Sequence, residues 1–290
     1  MIKNLSNNIC KHNKVETNNS LENIEYISNN MLEEKFGDKI RYAVTTRKSG
    51  VSKFPYNSLN LAFKNRKDGD NPEINLNNVC KEIGFTRQNA VCVYEDHTDK
   101  VVVITKENKE EFLFDKHHNL VYDAMITNEK NIPLVITIAD CNAIVMYDTK
   151  KNVVANIHSG WKGTTQKIYL KVIDKMKAEF ESNEKDIICI FSPAIQSCCW
   201  KTKDKKLVKS LSKYWDYQDE YVTEYDDGFI GVNFPYVIQK DLIAAGVKKE
   251  NIYNPNICTC CNSDTFFSYR RKTELEEPDY GVQASIVELR

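Results

Sequence analysis

Residues 91–157 constrain the fold of this chain most. Apolar runs at residues 91–93, 101–105, 111–114, 122–127, 134–138, 143–147 and 153–157 follow one another with only turns between them. Short runs of this kind read as strands. A crossover between parallel neighbours needs roughly a dozen residues or more, usually a helix. The gaps are too short for that, so the block predicts antiparallel or mixed pairing rather than a doubly wound parallel sheet. Upstream, residues 40–46 read as a strand ending at Arg47, and residues 48–56 form a Gly/Ser/Pro loop. Asn71 and Pro72 read as cap and first position of a helix carrying Leu76, Val79, Cys80 and Ile83, closed by Gly84. Beyond Gly163 the period changes. Tyr169, Val172, Ile173, Met176 and Phe180 fall on one helical face. A strand at 186–191, a short helix at Leu207, Val208 and Leu211, and a helix from Pro235 to Gly246 follow. The expected class is α/β: a single domain over residues 23–290 with a large mixed sheet and flanking helices. Residues 1–22 form a polar N-terminal tail.

Composition narrows the function classes. The chain has 290 residues and is 41% hydrophobic, enough for a sizeable core. A formal net charge of −1 offers no basic surface for nucleic acid or a polybasic membrane contact. No apolar run approaches the roughly 18 residues of a membrane span, and residues 1–20 lack the apolar core of a signal peptide. A cytoplasmic location is expected, with no nucleic-acid or membrane partner. The oligomeric state is left open, a monomer included. Ten cysteines without an export signal read as thiols or ligands rather than disulfides. Cys80, Cys92 and Cys189 fit core positions, and Cys10 lies in the tail. Cys198-Cys199 and Cys258-Thr259-Cys260-Cys261 are denser, but only Cys258 and Cys261 have the two-residue spacer of a zinc knuckle. On spacing alone the expectation is against a second metal site.

Two soft ligands leave neighbouring apolar runs. Cys141 follows run 134–138 in Ala139-Asp140-Cys141, and His158 ends run 153–157 before Ser159-Gly160-Trp161-Lys162-Gly163. His97 follows run 91–93. Of five histidines, His12 lies in the tail and His117-His118 in a polar stretch. His97 and His158 are therefore the two in structured surroundings. Two imidazoles and one thiolate with a fourth position free match a catalytic zinc set. Two hydrogen-bonded histidines and a buried thiol remain the alternative. Asp140 and Ser159 flank the ligands and are candidates to orient them. The glycine turn with Lys162 precedes a helix and could hold an anion. Arg47 offers a rigid fork for an oxyanion, and Asn60 can donate and accept to a base or ribose. Phe267-Ser268-Tyr269-Arg270-Arg271 suits stacking with anion contact through Arg270, while Arg271 reads as a structural residue.

Taken in order, these segments resemble the laccase-domain family, first called multicopper polyphenol oxidases and now regarded as purine nucleoside phosphorylases. The residues are Thr45-Thr46-Arg47, Gly50-Val51-Ser52, Pro55-Tyr56, Ser58-Leu59-Asn60-Leu61, Gly69-Asp70, His97, Ala139-Asp140-Cys141, His158 to Gly163, Pro193-Ala194-Ile195 and Phe267 to Arg271. The resemblance runs from about Ile40 to the C-terminus. It implies a layered α/β/β/α domain in which His97, Cys141 and His158 bind one zinc beside the substrate pocket. It also implies phosphate-dependent cleavage of adenosine, inosine, guanosine and methylthioadenosine, with hydrolytic deamination of adenosine. The chain departs from the family pattern at Glu95-Asp96, where the family has Gln-Val, and at Lys162, where it commonly has Arg. Ser192 and Val282 also replace the family's Gly and Arg. These departures bear on substrate preference and leave the metal trio intact.

Other classes compete. Copper at the same trio could oxidise phenols, since thiolate and imidazole suit copper. One such site, however, lacks the further histidines that four-electron reduction of oxygen needs. Cys141 activated by His158 without metal would make a hydrolase. A purine-binding module without turnover is the fourth reading.

Overall fold

Most apolar runs of the central block become strands, and those at Ala124–Thr127, Leu134–Ile138, Asn142–Asp148 and Val153–Ser159 are buried on both faces. They do so in a computed structural model that describes residues 24–64, 67–116, 119–274 and 278–290. The tail with Cys10 and His12, and the pair His117-His118, lie outside the described residues. In chain order the strands are β1 (Tyr26–Ile27), β2 (Ile40–Thr45), β3 (Val91–Cys92), β4 (Val101–Val103), β5 (Ala124–Thr127), β6 (Leu134–Ile138) and β7 (Asn142–Asp148). They continue with β8 (Val153–Ser159), β9 (Ile187–Phe191), β10 (Lys201–Thr202), β11 (Val222–Glu224), β12 (Ile230–Val232), β13 (Ile252–Tyr253) and β14 (Gln283–Leu289). The helices are α1 (Asn30–Phe36), α2 (Asn71–Ile83), α3 (Lys109–Phe112), α4 (Trp161–Thr165), α5 (Ile168–Phe180), α6 (Lys205–Leu211), α7 (Gln218–Tyr221), α8 (Phe234–Ala244) and α9 (Tyr269–Glu274).

Among the described residues the strands make three sheets. One has the order β1-β2-β14-β6-β3, a second β13-β9-β7-β8-β5-β4, and a small third β10-β12-β11. Pairing is mixed. β3 and β6, β4 and β5, and β9 and β13 run parallel, and the other pairs are antiparallel. The two large sheets pack face to face through Leu134, Ile136, Val145, Tyr147, Val154 and Ile190. The outer face of the six-stranded sheet is covered by α5 and α8 through Val172, Met176, Ile238 and Leu242. The outer face of the five-stranded sheet is covered by α2 through Leu76, Val79 and Cys80. The expected α/β/β/α layering therefore holds, with the mixed strands divided between two sheets. Val208, Leu211, Trp215, Ile230 and Val237 pack a further apolar cluster beside the small third sheet.

Two local expectations are corrected. Residues 111–114 do not form a strand. Residues Lys109–Phe112 form α3, and only Leu113 keeps a single bridge, to Val91. Three charged residues, Lys109 to Glu111, precede the apolar ones, and the turn at Asn108 leads into a helix instead: the Asn108 amide donates to Val103 O while its Oδ1 accepts from Thr105 N. The cap of α2 is Asp70, with Asn71 already helical. Gly84 does close that helix, at φ +82° in the left-handed region.

Candidate metal centre and active-site cavity

The β7–β8 hairpin brings two ligands together by register alone. Ala143 pairs with His158, and Asn142 with Ser159. Side chains alternate across a strand, so Cys141 and Ala143 share a face. Cys141 and His158 are therefore diagonal neighbours on that face, within reach of each other. It is the face that looks toward the other large sheet, because Ala143 and Val145 belong to the core between the sheets. Here, at the open end of that core, sits the expected trio. The ligand atoms of His97, Cys141 and His158 all lie within 4.8 Å of one another. The two imidazole centroids are 5.0 Å apart.

His97 arrives from a loop, and Asp123 holds it there. Asp123 stands just before β5 and is fully buried. Its Oδ1 accepts from His158 Nδ1 at 2.7 Å and from His97 N at 3.0 Å. Its Oδ2 accepts from Thr98 N and Thr98 Oγ1, both at 2.6 Å. One carboxylate thus fixes the His158 ring and the backbone turn that presents His97, a residue held at φ +57°. With Nδ1 donating to Asp123, Nε2 of His158 is left for a ligand bond. Burial opposes ionisation of Asp123, but His158 and the two Thr98 hydrogen bonds together outweigh it and hold the pKa low. Burial also opposes a charged His158, yet Cys141 and Asp123 raise its pKa to about 10. His97 is pushed below its ordinary value, first by burial and then by His158. A metal needs both imidazoles neutral and the thiol ionised, so metal binding to this trio expels protons.

The trio passes a steric test for a cation. Gly160 sits beside it with no Cβ, and a Cβ there would lie 2.5 Å from His97 Nδ1 and 3.0 Å from Cys141 Sγ. Its φ of −71° is ordinary, so the glycine serves space and not backbone freedom. Two nitrogens and a sulfur, one imidazole oriented by a buried carboxylate, are a donor set that could hold a metal.

The trio opens into a cavity of about 590 Å³. Its wall includes Glu95, Trp161, Trp200, Phe234, Arg270 and Tyr280. That volume suits a small organic ligand. Glu95 is buried there, accepts from Thr137 N at 2.9 Å and forms an ion pair with Lys64. The acidic residue that sets this chain apart from the family pattern is thus charge-compensated within the wall.

The other sequence candidates fall in different places. Arg270 lines the cavity, and its Nη1 donates to Lys201 O at 3.0 Å. Arg47, Asn60 and Lys162 lie outside the lining. Arg47 donates to the carbonyls of Asn57 and Ser263 and stacks over Phe267. Asn60 is buried, donates to Asp68 Oδ2 and accepts from Ala62 N and Val282 N. Lys162 stands on α4 with its ammonium 6.0 Å from the Trp161 ring centroid. Arg271 is buried and binds the carbonyls of Thr259, Cys260 and Phe266, the structural role its sequence suggests.

Asp140 and Ser159 orient other groups than the ligands. Ser159 Oγ pairs with Thr164 Oγ1 at 2.9 Å. Asp140, at φ +85°, accepts from Thr259 Oγ1 (2.6 Å), Ser268 Oγ (2.8 Å) and Arg270 N (2.7 Å). It therefore ties the segments carrying Thr259 and Arg270 to the residue preceding Cys141. The carboxylate that does orient the ligands, Asp123, carries no spacing signal, being 26 residues after His97 and 35 before His158. Its one trace in the sequence is an acidic residue inside the apolar run 122–127.

A thiol and two imidazoles at the mouth between two packed sheets define a protein with a metal-ligating trio beside a cavity. The chain belongs to the family described as multi-copper polyphenol oxidoreductase laccase, whose model matches residues 41–290. It is 31% identical over 247 residues to a purine nucleoside phosphorylase of Staphylococcus aureus (strain COL), covering 83% of this chain and 89% of that one. It is 28% identical over 262 residues to the purine nucleoside phosphorylase LACC1 of Mus musculus. That match covers 87% of this chain and 56% of the mouse protein, so the chain spans little more than half of that relative. Among solved structures, the hypothetical protein YfiH of Bacillus licheniformis superposes with a TM-score of 0.80 at 25% identity, covering 94% and 99% of the two chains. YlmD of Geobacillus stearothermophilus has the same fold, with a TM-score of 0.81 at 24% identity over 94% of this chain and 98% of that one. Among the described residues no helix is long and apolar enough to cross a membrane.

Proposed function

We propose that this protein is a zinc-dependent purine nucleoside phosphorylase acting on adenosine, inosine, guanosine and methylthioadenosine. The observation that carries the reading is the convergence of His97, Cys141 and His158 at the edge of a cavity that also holds Arg270. The names of relatives at about 30% identity support the reaction class. Borderline-soft zinc matches a donor set of two nitrogens and one sulfur.

In phosphorolysis a phosphate oxygen bonds to the anomeric carbon of the ribose as the C–N bond to the purine breaks. The base leaves with that electron pair and takes up a proton. Zinc in the trio supplies Lewis-acid polarisation of a substrate oxygen. The protein's own part is to place the partners. Trp161, Trp200, Phe234, Tyr269 and Tyr280 give the cavity aromatic faces for a flat base. Arg270 offers a guanidinium fork to phosphate from the same wall, positioned through its backbone N–H on Asp140. Arg47 and Asn60 contribute from behind the wall, by fixing loops. Lys162 contributes positive charge near the mouth. Deamination of adenosine is assigned to the same cavity as a side reaction.

The test is direct: zinc-replete protein is mixed with inosine, with and without phosphate, and hypoxanthine is followed. Release that requires phosphate supports the reading, and its absence defeats it. A copper polyphenol oxidase is disfavoured by the histidine supply. The whole chain has five histidines, two of them in the trio, and a multicopper centre needs more. A metal-free Cys141 hydrolase would keep its activity after chelation.

A further inference from the structure

A second set of soft ligands lies away from the trio. Cys198 and Cys199 sit in the turn after β9, and Cys258 and Cys261 in the loop after β13. Their four sulfurs all lie within 4.8 Å of one another. Cys261 Sγ is 3.6 Å from Cys198 Sγ and 3.3 Å from Cys199 Sγ. We propose that Cys198, Cys199, Cys258 and Cys261 form a four-thiolate site for one structural zinc ion, separate from the catalytic trio.

The spacing of the sulfurs carries the argument. Four thiolates around one zinc at about 2.3 Å in a tetrahedron stand about 3.8 Å from one another, close to the separations here. A polynuclear iron–sulfur cluster holds its cysteines apart by the width of the cluster, and these are close enough to share a single ion. A disulfide needs about 2.05 Å, and both Sγ–Sγ separations exceed it. Cys261 also faces two equally available partners. Half of the set, Cys258-Thr259-Cys260-Cys261, has the two-residue spacer of zinc knuckles. The other half comes 59 residues earlier as an adjacent pair, which is why spacing along the chain does not reveal the site.

The backbone is prepared for such a clasp. Ala194 N donates to Ile257 O, and Thr259 N to Ala194 O, so the two loops are already paired beside the thiols. Cys199 N and Trp200 N both donate to Gln196 O, closing the turn that presents Cys198 and Cys199. Cys258 O accepts from the Asn262 amide at 2.7 Å, which fixes the second loop. The buried Arg271 guanidinium binds the carbonyls of Thr259 and Cys260, between the two ligands of that loop. Four protein ligands leave no open position, so the site is structural. Its consequence is positional. Ile195 and Trp200 line the cavity from the first loop, and Thr259 holds Asp140 from the second.

The test measures metal per chain in the full-length protein purified under reducing conditions. The intact chain is compared with His97→Ala/Cys141→Ala, which strips the trio, and with Cys198→Ser/Cys261→Ser, which strips the cluster. The trio variant is expected to retain one zinc per chain, with X-ray absorption showing four sulfurs at about 2.3 Å. The cluster variant is expected to lose that zinc. If the catalytic reading fails, the intact chain carries only the cluster zinc, and the trio variant matches it. That outcome is distinct from failure here. A folded trio variant without metal, or with zinc bound through nitrogen or oxygen, overturns the proposal, as does a Cys198–Cys261 or Cys199–Cys261 disulfide in protein purified in parallel without reductant. If the cluster variant does not fold, X-ray absorption on the trio variant still decides.

Discussion

Asp123→Asn isolates the carboxylate that organises the candidate metal centre. The change keeps the shape of the side chain and removes its charge. It also turns one oxygen into an N–H₂ group facing existing donors. One rotamer sets the new amide against His158 Nδ1 and His97 N, and the other sets it against Thr98 N and Thr98 Oγ1. Asp96 N also donates to Oδ2 at 3.4 Å, and neither rotamer restores all five bonds. Loss of a partner that orients a ligating histidine typically costs about 10–100-fold in metal affinity, or about 1.4–2.7 kcal/mol. A buried donor left unpaired costs a further ~1–3 kcal/mol of folding stability. The assay is competition for zinc against a chromophoric chelator, with thermal unfolding of the zinc-loaded and zinc-free forms. The variant is expected to bind zinc on the order of 10–100-fold more weakly and to recover occupancy in excess zinc. An affinity within about twofold of the parent would refute the orienting role of Asp123, and with it the assignment of Nε2 of His158 as a ligand.

Gly160→Ala would put a methyl 2.5 Å from His97 Nδ1 and 3.0 Å from Cys141 Sγ. Turnover is expected to fall at least about tenfold and the trio's zinc to be lost while the melting temperature moves little, and full zinc content in this variant contradicts the packing argument. Arg271→Ala leaves the carbonyls of Thr259, Cys260 and Phe266 without their buried donor. A loss of about 3 kcal/mol in urea unfolding is expected, and a loss under about 1 kcal/mol speaks against the structural role. Burial opposes ionisation of Asp279, but Lys67 and Tyr56 hold its pKa down to about 2. The folded pKa lies below the unfolded one, so the contribution is present above about pH 4 and fades as pH falls toward 2. Asp279→Asn should therefore lower the urea midpoint near neutral pH and make no difference near pH 2, whereas an equal effect at both would contradict the ionic account.

How far the sequence reached is set by how local each signal was. The β7 and β8 runs were legible because strands buried on both faces are uninterrupted apolar segments. Once paired, their register places Cys141 and His158 on one face. His97 was found by counting histidines. Asp123 escaped because its partners lie 26 and 35 residues away, and only the fold brings β5 beside β8. Asp140 and Ser159 were chosen as orienting residues because they adjoin the ligands in sequence. Ser159 points to the face of β8 opposite His158, Asp140 stands in the turn between β6 and β7, and both serve other segments. Arg47 and Asn60 illustrate the same limit: their polar groups are committed to loop carbonyls and amides that no sequence spacing reveals. The two-sheet layering came only with the family resemblance, and which strands join which sheet was not legible, since that depends on which strand edges meet.

The most direct test of the central claim is zinc-dependent turnover at the trio. Metal-stripped protein is given inosine and phosphate, and hypoxanthine is measured before and after zinc sufficient for both the trio and the four-cysteine cluster is restored, alongside Cys141→Ala. The account predicts phosphate-dependent release that appears with zinc in the parent and is absent in the variant. Equal release by the stripped protein or by Cys141→Ala, or none by the zinc-loaded parent, contradicts it.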